Sequence, residues 1–267
     1  IRLLLRQLAM LYEFPDLELP RLEVSFRDYV LFEESRKQTA AYEQSRQYWT
    51  DRLPSLPAAP DLPLARQPAE IERPRFARKA TSLDALRWGR IKAAANQWGF
   101  TPSAVLLAVF SDVLRNWSRS PQFTINLTLF NRPPLHPQIG DLIGDFTTLT
   151  LLTADCSRQE PFHARVRRLQ EQLGRDLDHL DVSAVAVLRE MWRLYGRDPA
   201  TVMPVVFTSM VGKSSPSDEI PFGETVYGIS QTPQVWLDHQ ISERGGAIFY
   251  NWDFVESLFR DGMIDSM

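Results

Sequence analysis

Several places in the chain hold side chains suited to moving a proton or holding a carbonyl group. Residues 230–253, SQTPQVWLDHQISERGGAIFYNWD, open with a Thr232-Pro233 turn signal and run into the apolar residues Val235, Trp236 and Leu237, which Asp238 ends. A Gly245-Gly246 turn follows, then a second β-rich run closing on Asp253. Two β-prone runs joined across a glycine-containing loop predict a hairpin or a pair of neighbouring strands. A carboxylate at the end of a buried strand can serve as a general acid or base, although an Asp there more commonly caps a turn. Residues 203–210, MPVVFTSM, predict a short buried strand with Thr208 and Ser209 at its far end. On a strand these hydroxyls point to opposite faces, so at most one of them faces a given cavity. Asn126, Asn131 and Arg132 bracket the end of another strand, where polar groups can hold a substrate carbonyl or make turn bonds beside Pro133.

Other constellations are weaker. Residues 176–181, DLDHLD, place Asp176 and Asp181 around His179. Their amphipathic helical context predicts a solvated helix end rather than a catalytic carboxylate pair. The histidines are His136, His163, His179 and His239, none spaced as a pair on one helical face, and Cys156 is the sole cysteine. That set disfavours zinc. Neither GxGxxG nor GxxxxGK nor GxSxG occurs, which disfavours a phosphate-cradling loop and a serine-hydrolase elbow. A formal net charge of −3 leaves no basic footprint for nucleic acid. A single cysteine fits a reducing, cytoplasmic compartment, and no apolar run approaches the roughly 20 residues of a membrane span.

The elements that must position these groups can be read in order. Residues 1–12 predict the last turns of a helix, and since both chain ends sit within or just after helical patterns, the chain reads as a piece of something longer. Residues 26–52 predict one long amphipathic helix with a break in periodicity around 33–39. Pro54, Pro57, Pro60 and Pro63 then force extended backbone, the strongest boundary signal in the chain, and a solvent-exposed spacer is one reading of it. Residues 75–81 predict a strand, Ser82 a cap, and a helix then runs to about Trp98 before Gly99 ends it. Thr101-Pro102 predicts an N-cap with proline at the first helical position, opening a helix that is apolar nearly all round and therefore buried against a sheet. Strands follow at 123–130 and 144–152, with Asp145 in a cap or turn role. Helices are expected at 161–180 and 185–195, the second ending near Gly196 and Pro199. A loop covers 212–218, and 254–263 has helical character. Strands mixed with helices in no strict alternation predict an α+β fold with a mixed, layered sheet.

Taken together, the motifs resemble the heterocyclization domain of nonribosomal peptide synthetases, a specialised relative of the condensation domain. The proline-rich motif is LPSLPAAPDLPL (53–64), and the helix motif that opens TPS and closes on Leu-x-x-Trp is TPSAVLLAVFSDVLRNWS (101–118). GDFTTLTLL, MPVVFTSM, and SQTPQVWLD followed by YNWD complete the series in order, from residue 53 to 253. An ordinary condensation domain lacks GDFT and TPQVxLD, so the resemblance reaches the subfamily. The family's DxxxxD motif, which stands where condensation domains carry HHxxxDG, is expected upstream of Ile1.

The resemblance implies a chloramphenicol-acetyltransferase-like lobe, with a mixed β-sheet flanked by helices and preceded by the helical tail of another lobe. It divides the chain into the tail of the N-terminal lobe (1–52), a proline-rich linker (53–74) and the C-terminal lobe (75–267). It implies peptide-bond formation with a carrier-bound Cys, Ser or Thr, then cyclodehydration to a thiazoline or oxazoline of the kind found in siderophores. The isolated 267 residues, holding one wall of the family's tunnel, are expected to be inactive. No cofactor binds directly; 4'-phosphopantetheine arms arrive on upstream and downstream carrier proteins, beside an adjacent adenylation domain. Within the family pattern Asp238 is the acid–base group, Thr208 its hydrogen-bonding partner and Asn126, or else Asn131, the group that polarises the substrate carbonyl. Gln234 and Ser209 are further substrate-binding candidates. The alternatives are a domain that binds carrier proteins without chemistry, and another acyltransferase of the same fold.

Overall fold

The computed structural model describes residues 2–196, 203–212, 222–223 and 226–267. Most of the loop expected at 212–218, and the helix stop at Pro199, lie outside the described residues.

Helix α1 (Arg2–Glu13) is followed by α2 (Phe26–Arg36) and α3 (Ala40–Arg52). The single helix expected over 26–52 is thus two. Ser25 and Asp28 form a reciprocal capping box at the start of α2, and Thr39 Oγ1 accepts the Tyr42 N–H at 3.2 Å to start α3, so the backbone must leave the helical region between them. A short 3₁₀ turn (Leu53–Ser55) opens the proline-rich segment, which is no exposed spacer. Leu53 and Leu62 are buried, the Thr124 N–H donates to the Ala58 carbonyl at 2.8 Å and the Thr124 hydroxyl to the Pro57 carbonyl at 2.6 Å.

Strand β1 (Phe76–Leu83) leads to α4 (Ala85–Gln97) and α5 (Pro102–Trp117). The cap of α4 is Asp84, whose Oδ1 accepts the Arg87 N–H at 2.9 Å, because Ser82 is still paired in the strand. Gly99 ends the turn at φ 71°, and Thr101 caps α5 as its spacing predicts. Strands β2 (Gln122–Phe130) and β3 (Thr147–Asp155) form an antiparallel pair. Residues 144–146 precede β3 rather than open it. There Phe146 packs on Phe26 and Tyr29 of α2, and Asp145 accepts the Thr147 N–H at 2.9 Å in the turn role expected of it. Helices α6 (Phe162–Leu177) and α7 (Ala184–Tyr195) lead to β4 (Val205–Met210), β5 (Leu237–Arg244), β6 (Ala247–Val255) and the short α8 (Met263–Ser266). The helical pattern over 254–263 is only partly met: Phe254 pairs with Ala77 and Leu237, the Val255 N–H bonds to the Trp236 carbonyl, a short 3₁₀ turn spans Glu256–Leu258, and α-helix begins at Met263.

The sheet order is β1-β6-β5-β4-β2-β3, with β5, β4 and β2 parallel at its centre and antiparallel pairs outside them. Paired residues share a face, so the register sorts the side chains. One face carries Leu127, Phe207, His239 and Trp252 against Phe110 of α5, part of a large apolar core that includes Trp88 of α4 and Val166 and Leu169 of α6. The other carries Arg78, Asp253, Asp238, Gln240, Thr208 and Asn126. Val206 stands among them, and toward β3 this second face becomes an apolar core, where Leu151 meets Trp49, Leu53, Val187 and Met191.

Candidate active site

The second face is built by alternation along the central strands. Val206 pairs with both Asn126 and Asp238, and Thr208 pairs with both Thr128 and Gln240. Asp238, Thr208 and Asn126, expected from the sequence to act together, therefore stand on one face, and each is more than nine-tenths buried. Asp238 occupies the beginning of β5 rather than the end of a strand: the polar run HQISER continues the strand, alternating between the two faces. Its Oδ2 accepts a 2.6 Å hydrogen bond from Gln240 Nε2, and its buried Oδ1 accepts none among the described residues. The expected partner, Thr208, sits across from Gln240 instead, one pairing step further along the sheet.

Burial pushes the Asp238 carboxyl above the ordinary range, and the negative charge of Asp253 adds to that, while the Gln240 and Ser230 side chains and the Arg78 cation pull it down. Asp253 pairs with Asp238 across the β5–β6 ladder and is differently furnished. Arg78 Nε and Nη2 donate to its two oxygens at 2.5 Å each, and the Ser230 N–H donates to Oδ2 at 2.6 Å. The adjacent carboxylates thus divide into one held through both oxygens by a guanidinium and a backbone N–H, and one with an oxygen to spare among the described residues.

The remaining candidates are dispersed. Ser209 faces the helices, its hydroxyl 2.8 Å from that of Ser103 in α5, on the side of the sheet away from Asp238. Gln234 is exposed, in a turn where its φ is 72°, a left-handed conformation uncommon for a residue with a side chain. Asn131 lies just past β2, its N–H bonded to the Phe146 carbonyl at 3.1 Å. Arg132 has a structural occupation, donating to the Ile139 and Leu142 carbonyls at 2.7 and 2.9 Å, with its guanidinium 4.0 Å from the centre of the Phe146 ring.

A second buried carboxyl corrects the solvated helix end expected at 176–181. Asp176 is fully buried, and its Oδ1 accepts from Tyr48, Arg52 and Gln172, which knit α3 to α6. Burial raises its pKa, while these donors oppose the rise; Tyr48 in turn is pushed up to about 12 by its own burial and by the Asp176 carboxylate. With its hydrogen-bonded oxygen shared among donors from the two helices, Asp176 is a clamp. Among the described residues no cluster of three or more His, Cys, Asp or Glu side chains could hold a metal ion, and no helix is long and apolar enough to cross a membrane.

The family model of the condensation domain matches residues 1–267. The chain belongs to the condensation-domain family. Pyochelin synthetase PchF of Pseudomonas aeruginosa is 42% identical over 270 aligned positions, 100% of this chain and 15% of that protein. Phenyloxazoline synthase MbtB of Mycobacterium tuberculosis is 38% identical over 272 positions, 100% of this chain and 19% of that one. The solved cyclization-docking bidomain of EpoB, a nonribosomal peptide synthetase from Sorangium cellulosum, superposes with a TM-score of 0.89 at 40% identity, covering 99% of this chain and 54% of the other. The resemblance read from the motifs is borne out by these relatives, as is the acetyltransferase-like mixed sheet flanked by helices. The chain spans about half of the solved bidomain and a small part of the synthetases.

In this condensation-family domain sequence reasoning missed Gln240 and Asn251. Gln240 follows Asp238 by the two-residue spacing that puts strand side chains on one face, and Asn251 is its partner on β6, with a buried Nδ2 that donates to nothing among the described residues. Arg78 lay hidden in β1, whose charges gave no sign of which carboxylate they would meet.

Proposed function

We propose that the domain condenses an upstream acyl thioester with the amine of a carrier-bound Cys, Ser or Thr, and then closes the side chain onto the new amide to give a thiazoline or oxazoline. Both substrates would arrive on 4'-phosphopantetheine arms of carrier proteins within a synthetase that also holds an adenylation domain. In this reading 1–52 end one lobe, 53–74 join the lobes and 75–267 form the second.

The observation that carries the reading is the Asp238 carboxyl: buried, raised in pKa, and with one oxygen that accepts no hydrogen bond among the described residues. Ring closure needs a group of that kind. The thiol or hydroxyl attacks the amide carbonyl carbon and loses its proton; the carbonyl oxygen becomes a hydroxyl. That hydroxyl must then be protonated to leave as water while the amide N–H gives up its proton to form C=N. A carboxyl whose pKa lies nearer neutrality can both accept and return a proton. Asn126 supports the same reading, since its buried Oδ1 lacks a partner among the described residues and suits the amide N–H, while its amide nitrogen can polarise a carbonyl. Val206 stands between them on β4, and Thr208 one same-face step further along, between Thr128 and Gln240.

In the intact synthetase, Asp238→Ala should lower ring formation about 10²- to 10⁴-fold, the usual worth of general acid–base catalysis, and leave condensed, uncyclised product on the carrier. Mass spectrometry of the carrier-bound species reads the missing loss of water. A normal yield of ring sinks the assignment.

A further inference from the structure

The two carboxyl groups at the centre of the polar face offer four oxygens, and hydrogen bonds among the described residues occupy three of them. Asp253 is held through both oxygens by Arg78 and again by the Ser230 N–H. Asp238 Oδ2 is held by Gln240, while Asp238 Oδ1 is buried without a hydrogen-bond partner among the described residues, the Ser230 side chain being the other polar neighbour of this carboxyl. Gln240 is well placed to be the arbiter. Its backbone is flanked by β4 and β6, with Thr208 and Asn251 as its neighbours, so the amide springs from the interior of the sheet and not from an edge.

We propose that Gln240 is a positioning residue that decides which oxygen of Asp238 handles the proton: its amide occupies Oδ2 and leaves Oδ1 to take up and release it. This rests on the acid–base role assigned to Asp238. An oxygen accepting a short N–H bond has that direction filled, so the acidic proton of the neutral carboxyl sits on the other oxygen, aimed away from Gln240. The choice of an amide also matters. A cationic donor, such as the one Asp253 has, would hold the carboxyl ionised; a neutral donor orients it and leaves it able to titrate. The charged groups facing Asp238 are Asp253 from β6 and Arg78 from β1, with Tyr227 near Arg78; β4 contributes only Val206 and Thr208.

The test compares cyclised and linear carrier-bound product against pH in the intact synthetase carrying Gln240→Met, Gln240→Glu or Asp238→Ala. Gln240→Met keeps the bulk and removes the donor. Since that hydrogen bond favours the ionised form, its loss should move the limb of the cyclisation profile upward by about one pH unit and shift product toward the linear form by about tenfold or more near neutrality. Gln240→Glu should be impaired near neutrality, where a second carboxylate faces Asp238, and recover as the pH falls and the neutral Glu can donate to Oδ2. Unchanged profiles in both variants overturn the proposal. So does an equal loss of condensation and cyclisation with an unmoved profile, the mark of a merely structural role. Should Gln240→Met fail to fold, the isosteric Gln240→Glu decides alone. If Asp238→Ala cyclises normally, the reading of Asp238 itself has failed; if it stops cyclisation while the Gln240 variants behave as wild type, only the role of Gln240 has.

Discussion

Replacing Arg78 with methionine removes both charged hydrogen bonds to Asp253 while keeping a side chain of similar length on β1. Asp253 is 1% exposed and Arg78 23%, so the carboxylate cannot turn to water when its partner goes. What remains to it is the Ser230 N–H. Breaking a buried pair from one side costs about 3–5 kcal/mol, and the partial exposure of the guanidinium places this one near the lower figure, about 3 kcal/mol. The loss should fall on β1, which lies at the edge of the sheet and pairs only with β6. At about 1.4 kcal/mol per tenfold, local opening of β1 becomes roughly a hundredfold more frequent. Hydrogen exchange followed by mass spectrometry on peptides from β1 and β6 reads this directly. Adding Asp253→Asn removes the stranded charge and should restore most of the protection, as replacing both partners of a buried pair does. Wild-type exchange in Arg78→Met, or a double variant as labile as the single one, would refute the argument.

Two more perturbations bear on the helix-covered face of the sheet and on the packing of α2. His239 lies in an aromatic box of Phe110, Phe207, Tyr250 and Trp252, where burial lowers its pKa to about 4 from an ordinary 6.5. Its neutral form is the folded one, so its stabilisation is complete above 6.5 and is lost as the pH falls through about 4; the shift is worth about 3 kcal/mol, and His239→Phe should flatten that part of the acid limb in denaturation midpoints taken between about pH 4 and 7. Gly144→Ala would drive a methyl into the Phe26 ring, which also packs against Tyr29 and Phe146; it should cost about 1–3 kcal/mol and appear as faster exchange in α2, and an unaltered α2 would show that the ring can give way.

What could be read from the residues alone follows from how local each cause is. Thr101-Pro102 and Gly99 fix helix boundaries by their own hydroxyl, ring and φ, so those boundaries were legible. The break between α2 and α3 was visible as lost periodicity but not as a cap, because Thr39 looks like any polar residue until its hydroxyl is seen on the Tyr42 N–H. Residues 254–263 look helical by spacing, yet Phe254 and Val255 are claimed by strand partners far away in sequence. Asp176 looked solvated because Arg52 and Tyr48, which bury it, come from another helix. The candidate site divides in the same way. Asp238, Thr208 and Asn126 could be carried over from motifs, whereas the donor that meets Asp238 could be recognised only by asking which residue shares its strand face.

The bonds from Thr124 to Pro57 and Ala58 carry a lesson for recombining synthetases of this kind. A run of prolines invites a cut, since it resembles a tether that could be exchanged without loss. Here it is a strap, fastened to β2 at Thr124 and again at Ala65, whose N–H meets the Leu258 carbonyl at 2.8 Å. A chimera joined within it would place its seam one same-face step along β2 from Asn126, so the two parents would have to agree on the strap as well as on the polar face of the sheet.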